Sequence, residues 1–152
     1  VVAARGSVPD MKIEDIIRNK GADVVTIAPA ATVAELVELL GRNNIGAVVV
    51  SEDGATISGI VSERDVVRHL ADGTGVLTQP VSAIMTANVK TCTPEDSLEA
   101  TGHTMTYSRI RHLPVVGEDG KLAAIVSIGD VVKYRIDQLT DERNHLLEYL
   151  HT

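Results

Sequence analysis

The chain has 152 residues, enough for one domain or for two small halves that share a core. Hydrophobic residues make up 44% and charge is spread throughout, which excludes a disordered chain, and the formal charge of −7 argues against general nucleic-acid binding, which needs a basic face, but not against a nucleotide. Phe and Trp are absent and there are three Tyr, so the core must be built from Val, Ile, Leu and Ala, and any bound base is held by aliphatic side chains more than by aromatic stacking.

Residues 1–10 read as an N-terminal tail, and the opening Val1 to Val8, with no initiator Met, reads as a trimmed end. From Asp10 to Lys20, Met11, Ile13, Ile16 and Ile17 fall on one side ahead of Gly21, which predicts a short helix closed by glycine. Val24 to Ile27 is a β-branched strand stopped by Pro29. Thr32 and Glu35 have capping-box spacing, and Val33, Leu36, Val37 and Leu40 continue at helical spacing to Asn43 and Asn44. Ala47 to Val50 is an apolar strand, Asp53-Gly54 a hairpin turn, Ile57 to Val61 the return strand, and Asp65 to Leu70 a helix.

The order then repeats. Pro80 to Met85 is a short helix or turn, and Val89 to Cys92 a strand stopped by Pro94. Asp96 and Ser97 cap a helix carrying Leu98, His103 and Met105. His112 to Val116 and Leu122 to Val126 are strands around Glu118-Asp119-Gly120, and Val131 opens the last helix. Pro29 matches Pro94, Thr32 matches Ser97, Ile45 matches Ile110, Ile60 matches Ile125 and Asp65 matches Asp130. The expected fold class is therefore α+β: two β-α-β-β-α repeats, over 11–75 and 76–136, packed with pseudo-twofold symmetry because either alone buries too little surface. A helical extension over 137–152 follows. The apolar stripe of the whole last helix, Val132, Ile136, Leu139, Leu146 and Leu150, either folds back on its own domain or, the favoured reading, meets a second subunit.

Each repeat ends its second hairpin strand on a Ser-x-x-Asp turn, Ser62 with Asp65 and Ser127 with Asp130. Serine and aspartate at this spacing before an apolar run form an ordinary helix cap. They also suit a ligand with hydroxyls and phosphate: an ionised carboxylate accepts from neighbouring hydroxyls, while a serine hydroxyl and free N–H groups at a helix start suit a phosphate. Taken singly, the cap is favoured.

The strings GIVSERD at Gly59 to Asp65, AIVSIGD at Ala124 to Asp130 and SRIRHLPVV at Ser108 to Val116, set in this duplicated order, resemble a pair of cystathionine-β-synthase (CBS) domains, the Bateman module, of the small stand-alone bacterial type. The resemblance covers about Ile13 to Ile136. It implies a regulatory, non-catalytic module that binds an adenine ligand (AMP, ADP, ATP, NAD or S-adenosylmethionine) in clefts between the repeats, signals by conformational change to an unidentified downstream protein, and assembles as a homodimer. By the resemblance, Asp65 and Asp130 hold ribose hydroxyls and Ser62 and Ser127 meet phosphate. Thr26 and Thr91 at the ends of the first strands touch the ligand, and Ala47 and His112 stand at matched positions where the pocket wall begins. Arg109, Arg111 and His112, just before Leu113-Pro114, reach phosphates, as Arg64 can. Pro114 completes the expected ligand set. Each has a duller reading: strand propensity for the threonines, solvated loop or ion pairing for the arginines. The halves are unequal, since Gly46 and Ala47 stand where the second has Arg111 and His112, which makes the second cleft the expected tighter phosphate site.

Rival classes find less support. The five histidines lack ligand spacing, Cys92 lies in an expected strand with no base beside it, and neither Gly-x-Gly-x-x-Gly nor a Walker pattern occurs, so neither an enzyme nor a catalytic cofactor is expected. A ligand-free oligomerisation module acting through the last helix is the remaining alternative. One cysteine cannot form an internal disulfide, no apolar run reaches the ~20 residues that span a bilayer, and no signal peptide is present as written, so a cytoplasmic location without membrane association is expected.

Overall fold

The computed structural model describes residues 10–21 and 23–151; the expected tail, apart from residue 10, lies outside them. The fold is α+β with small sheets and a long C-terminal helix, as expected, and the chain divides into two compact units.

One unit comprises 23–91 and 116–124. Its sheet has three strands: β1 (Thr26–Ile27) runs parallel to β2 (Ala47–Val50), and β2 antiparallel to β3 (Gly59–Ser62). All four residues of β2 are buried, whereas β3 alternates, so the register of Ala47 with Ser62 through Val50 with Gly59 is fixed by which side chains enter the core. Helix α2 (Val33–Asn43) starts with the expected box: Glu35 N–H donates to Thr32 Oγ1 (3.2 Å) and Thr32 N–H to Glu35 Oε2 (3.0 Å). It ends at Asn44, whose φ of 51° is left-handed, a conformation asparagine tolerates. Helix α3 (Glu63–Leu70) begins two residues earlier than expected, because Ser62 itself is the cap. Val33, Leu36, Leu40, Val48, Val50, Val61, Val66, Val81 and Ile84 close the core.

The segment around the 3-10 turn Val81–Ala83 is built into this unit: Val81 N–H donates to Ala31 C=O (2.7 Å), and Ile60 and Thr86 bridge each other in both directions (3.0 and 2.9 Å). Gly59 lies beneath it. A Cβ there would sit 2.6 Å from Met85 Sδ and 2.8 Å from the Thr86 carbonyl, so only glycine fits.

The other unit comprises 92–115 and 125–151 together with 10–21. Helix α1 (Ile13–Lys20) opens the first repeat in sequence but is held by second-repeat backbone. Ile13 N–H donates to Asp96 C=O (3.0 Å), Glu14 N–H to Pro94 C=O (2.8 Å), and Leu98 N–H to Met11 C=O (2.9 Å). Helix α4 (Leu98–Tyr107) is capped by Ser97, and strands β4 (His112–Val116) and β5 (Leu122–Ser127) form a hairpin of which residues 116–124 belong to the first unit. Helix α5 (Ile128–Leu150) is 23 residues long and begins three residues before Val131, again because a serine, Ser127, caps it. Ile13, Ile16, Leu98, Met105, Val115, Val126 and Val131 are buried here.

The expected strand Val89 to Cys92 is reduced to one parallel bridge, Cys92 with Val115, supported by Cys92 N–H donating to Pro114 C=O (3.0 Å). In β1 the matched bridges are two, Thr26 with Val49 and Ile27 with Val50. Pro114 stands where β2 has Val49 and has no N–H to return to the neighbouring chain, so the ladder stops.

Candidate functional site

The two Ser-x-x-Asp turns are matched polar features, one in each unit. At the first, Ser62 N–H donates to Asp65 Oδ2 (2.8 Å), the Ser62 hydroxyl donates to the same oxygen (3.0 Å), and Asp65 N–H lies 3.3 Å from Ser62 Oγ. At the second, Ser127 N–H donates to Asp130 Oδ2 (3.0 Å) and Asp130 N–H to Ser127 Oγ (3.1 Å). Both turns are therefore complete capping boxes, with aspartate where glutamate usually stands. The cap does not exhaust the carboxylate. The cap bonds that each carboxylate accepts all fall on Oδ2, and an ionised carboxylate has about four acceptor positions.

Matched backbone bonds hold each turn to the start of its neighbouring strand. Glu63 N–H donates to Gly46 C=O (2.9 Å), and Ile128 N–H to Arg111 C=O (2.8 Å). These bonds place Gly46 and Ala47 at the first turn, and Arg111 and His112 at the second. Ala47 is buried and pairs directly with Ser62. Thr26 is half-buried on β1, opposite Val49, and Arg64 is exposed in the first turn of α3. Thus Thr26, Ala47, Ser62, Arg64 and Asp65 share one unit.

Arg109, Arg111, His112, Pro114, Ser127 and Asp130 share the other. Arg109 and Arg111 are exposed, His112 is half-buried at the start of β4, and Pro114 is buried. Arg109 has a φ of 56°, the left-handed turn that Asn44 makes in the first half. Arg109 thus forms the matching chain reversal with a residue that pays more for the conformation than asparagine does. Thr91 is exposed and precedes the bridge residue Cys92.

A residue that sequence reasoning missed completes the second turn. Lys20, the last residue of α1, donates from Nζ to Asp130 Oδ2 (2.7 Å) and to Ile125 C=O (3.2 Å). Burial alone would raise the Asp130 carboxyl, but the Lys20 ammonium and the Ser127 N–H outweigh it and hold the group below the usual carboxylate range. A lysine ending a helix reads as a cation complementing the helix dipole, which hid it. Its signal was length: Ile13 to Thr26 spans three residues more than Val81 to Thr91 (13 steps against 10), and Lys20 lies on the excess.

Burial, and then the Asp96 charge, push the Cys92 thiol up to about 12, so it is protonated at neutral pH and a poor nucleophile. Among the described residues no three His, Cys, Asp or Glu side chains are grouped to hold a metal, and no helix is long and apolar enough to cross a membrane.

The model of the CBS domain matches this chain twice, over residues 13–72 and 81–137. A CBS domain-containing protein of Bacillus subtilis is 33% identical over 120 residues, spanning 78% of this chain and 81% of the relative. The crystal structure of a CBS-domain containing protein from Agrobacterium tumefaciens is similar at a TM-score of 0.78 and 43% identity, over 82% of this chain and 99% of that one. A CBS domain protein from Pyrobaculum aerophilum, solved in complex with AMP, is similar at a TM-score of 0.71 and 26% identity, over 93% of this chain and 100% of that one. With two matches that together cover most of its length, the chain belongs to the CBS-domain family, as a tandem pair.

Proposed function

We propose that this chain is a regulatory module that binds an adenine nucleotide at its two Ser-x-x-Asp turns and signals the bound state to another protein without transforming the ligand. The observation that carries the reading is the duplicated turn itself. In each unit a half-buried aspartate is fixed by a serine cap and a matched backbone bond, yet keeps acceptor capacity for ribose hydroxyls. The AMP bound by the Pyrobaculum relative supports the same ligand class here. AMP, ADP, ATP and NAD all carry the required diol and phosphate, and S-adenosylmethionine carries the diol. Thr26, Ala47, Arg64, Thr91, Arg109, Arg111, His112 and Pro114 surround the turns in this reading. Thermal melts with those five ligands and the guanine counterparts test it: a ligand bound only by the folded state raises Tm by mass action. A rise with adenine ligands is expected, and no rise with any would reject the reading.

A second feature supports assembly as a homodimer through α5. Val132, Ile136, Leu139, Leu146 and Leu150 are 47–76% exposed, an unusual density of uncovered aliphatic side chains. With Arg143 they recur at alternating steps of four and three, the seam of a coiled coil. Antiparallel pairing about a twofold axis sets Val132 against Leu150 and Ile136 against Leu146 in both directions, which the self-complementarity of such an interface requires. Were the melts flat, this stripe would favour the oligomerisation reading.

A further inference from the structure

We propose that Lys20 is a specificity residue of the second Ser-x-x-Asp turn, making it select phosphate-bearing ligands over their neutral nucleosides. The inference rests on the nucleotide reading above and deepens it. The two turns share their caps and their backbone bonds to the preceding strand, so their differences lie in what is added. At the first turn the Ile60 main chain is bridged by the Thr86 main chain, which brings no charge. At the second, the matched Ile125 carbonyl accepts instead from the Lys20 ammonium, delivered by the additional helical length of α1. An ammonium has three donors, and Asp130 and Ile125 take two, which leaves one for a ligand anion.

The backbone neighbours differ in the same sense. The residue whose carbonyl accepts from the helix start is Gly46 at the first turn and Arg111 at the second. Counting the charged residues of each turn, Arg64 stands against Glu63 and Asp65 at the first, a sum of −1, while Lys20 and Arg111 stand against Asp130 at the second, a sum of +1. The Lys20–Asp130 pair is partly exposed, with side chains 42% and 25% accessible, so solvent weakens it and its geometry can adjust to a ligand.

The test is calorimetric titration of AMP and adenosine into Asp65→Asn protein, which isolates the second turn, with and without Lys20→Met. Losing one charge-assisted hydrogen bond should weaken AMP about tenfold and leave adenosine within about twofold, with Lys20→Arg keeping most of the preference. Salt provides a check that needs no Lys20 variant: AMP affinity should fall with ionic strength and adenosine affinity should not. Equal changes for the two ligands, or none, would overturn the assignment while leaving the nucleotide reading intact. If the unsubstituted chain binds neither ligand, the nucleotide reading fails and the assignment falls with it.

Discussion

Gly59 and Lys20 show how single positions set the two turns apart. Gly59 is required by the close approach of Met85 and the Thr86 carbonyl, the latter fixed by its bond from Ile60. Gly59→Ala should cost roughly 1–3 kcal/mol through overpacking and lower Tm accordingly. Trimming Met85 to alanine should recover only part of the loss, because the carbonyl remains. An unchanged Tm in calorimetric scans would contradict this packing. Lys20 acts through charge. The Asp130 carboxyl is depressed in the fold, so it contributes stability above its unfolded value near pH 4 and loses that contribution as pH falls through its lower folded value. Lys20→Met should therefore lower stability slightly at pH 7, by no more than about 1 kcal/mol for a partly exposed pair, and the resulting difference in Tm should vanish as Asp130 protonates below about pH 4. A difference that persists in acid would mean that Lys20 acts by packing.

Among the elements, those fixed by local chemistry were legible in the sequence. Thr32 and Glu35 announce α2, and Ala47 to Val50 announces a fully buried strand, because caps and apolar runs act over a few residues. The strand expected at Val89 to Cys92 failed for a non-local reason: its partner strand carries Pro114 where a donor is needed. The placement of α1 on second-repeat backbone was equally hidden, since nothing in 10–21 names Pro94 and Asp96 as acceptors. The Ser and Asp of both turns were legible. Their third partner, Lys20, was not, because it arrives from 110 residues away. Helix α5 carries its own prediction. Leu146 is 65% exposed and contributes nothing to the core of its own unit. If the proposed homodimer pairs through α5, Leu146→Glu should halve the mass seen by light scattering and leave the monomer folded. Equal masses for both proteins would remove α5 from the interface.

For the whole molecule, sequence repeats and compact units do not coincide: α1 lies ahead of the first repeat's strands yet is built into the unit that carries the second. That exchange is what brings Lys20 to the second turn, so duplication yields two related turns of unequal charge. The second turn is also the first turn of α5, the 23-residue helix with the uncovered stripe. In the proposed function a ligand at Asp130 thus touches the element that another subunit or a downstream protein would read. It shifts that element only by binding one arrangement better than another. All of this depends on an adenine nucleotide occupying the turns. The most direct measurement is Tm with and without AMP, for the unsubstituted chain and for Asp65→Asn/Asp130→Asn, which keeps a side-chain acceptor for each cap. At about 100 times Kd, mass action adds ~2.7 kcal/mol, so the unsubstituted chain should melt roughly 5–10 °C higher and the double variant should show little shift. An unsubstituted chain indifferent to AMP, or a double variant stabilised equally, would contradict the account.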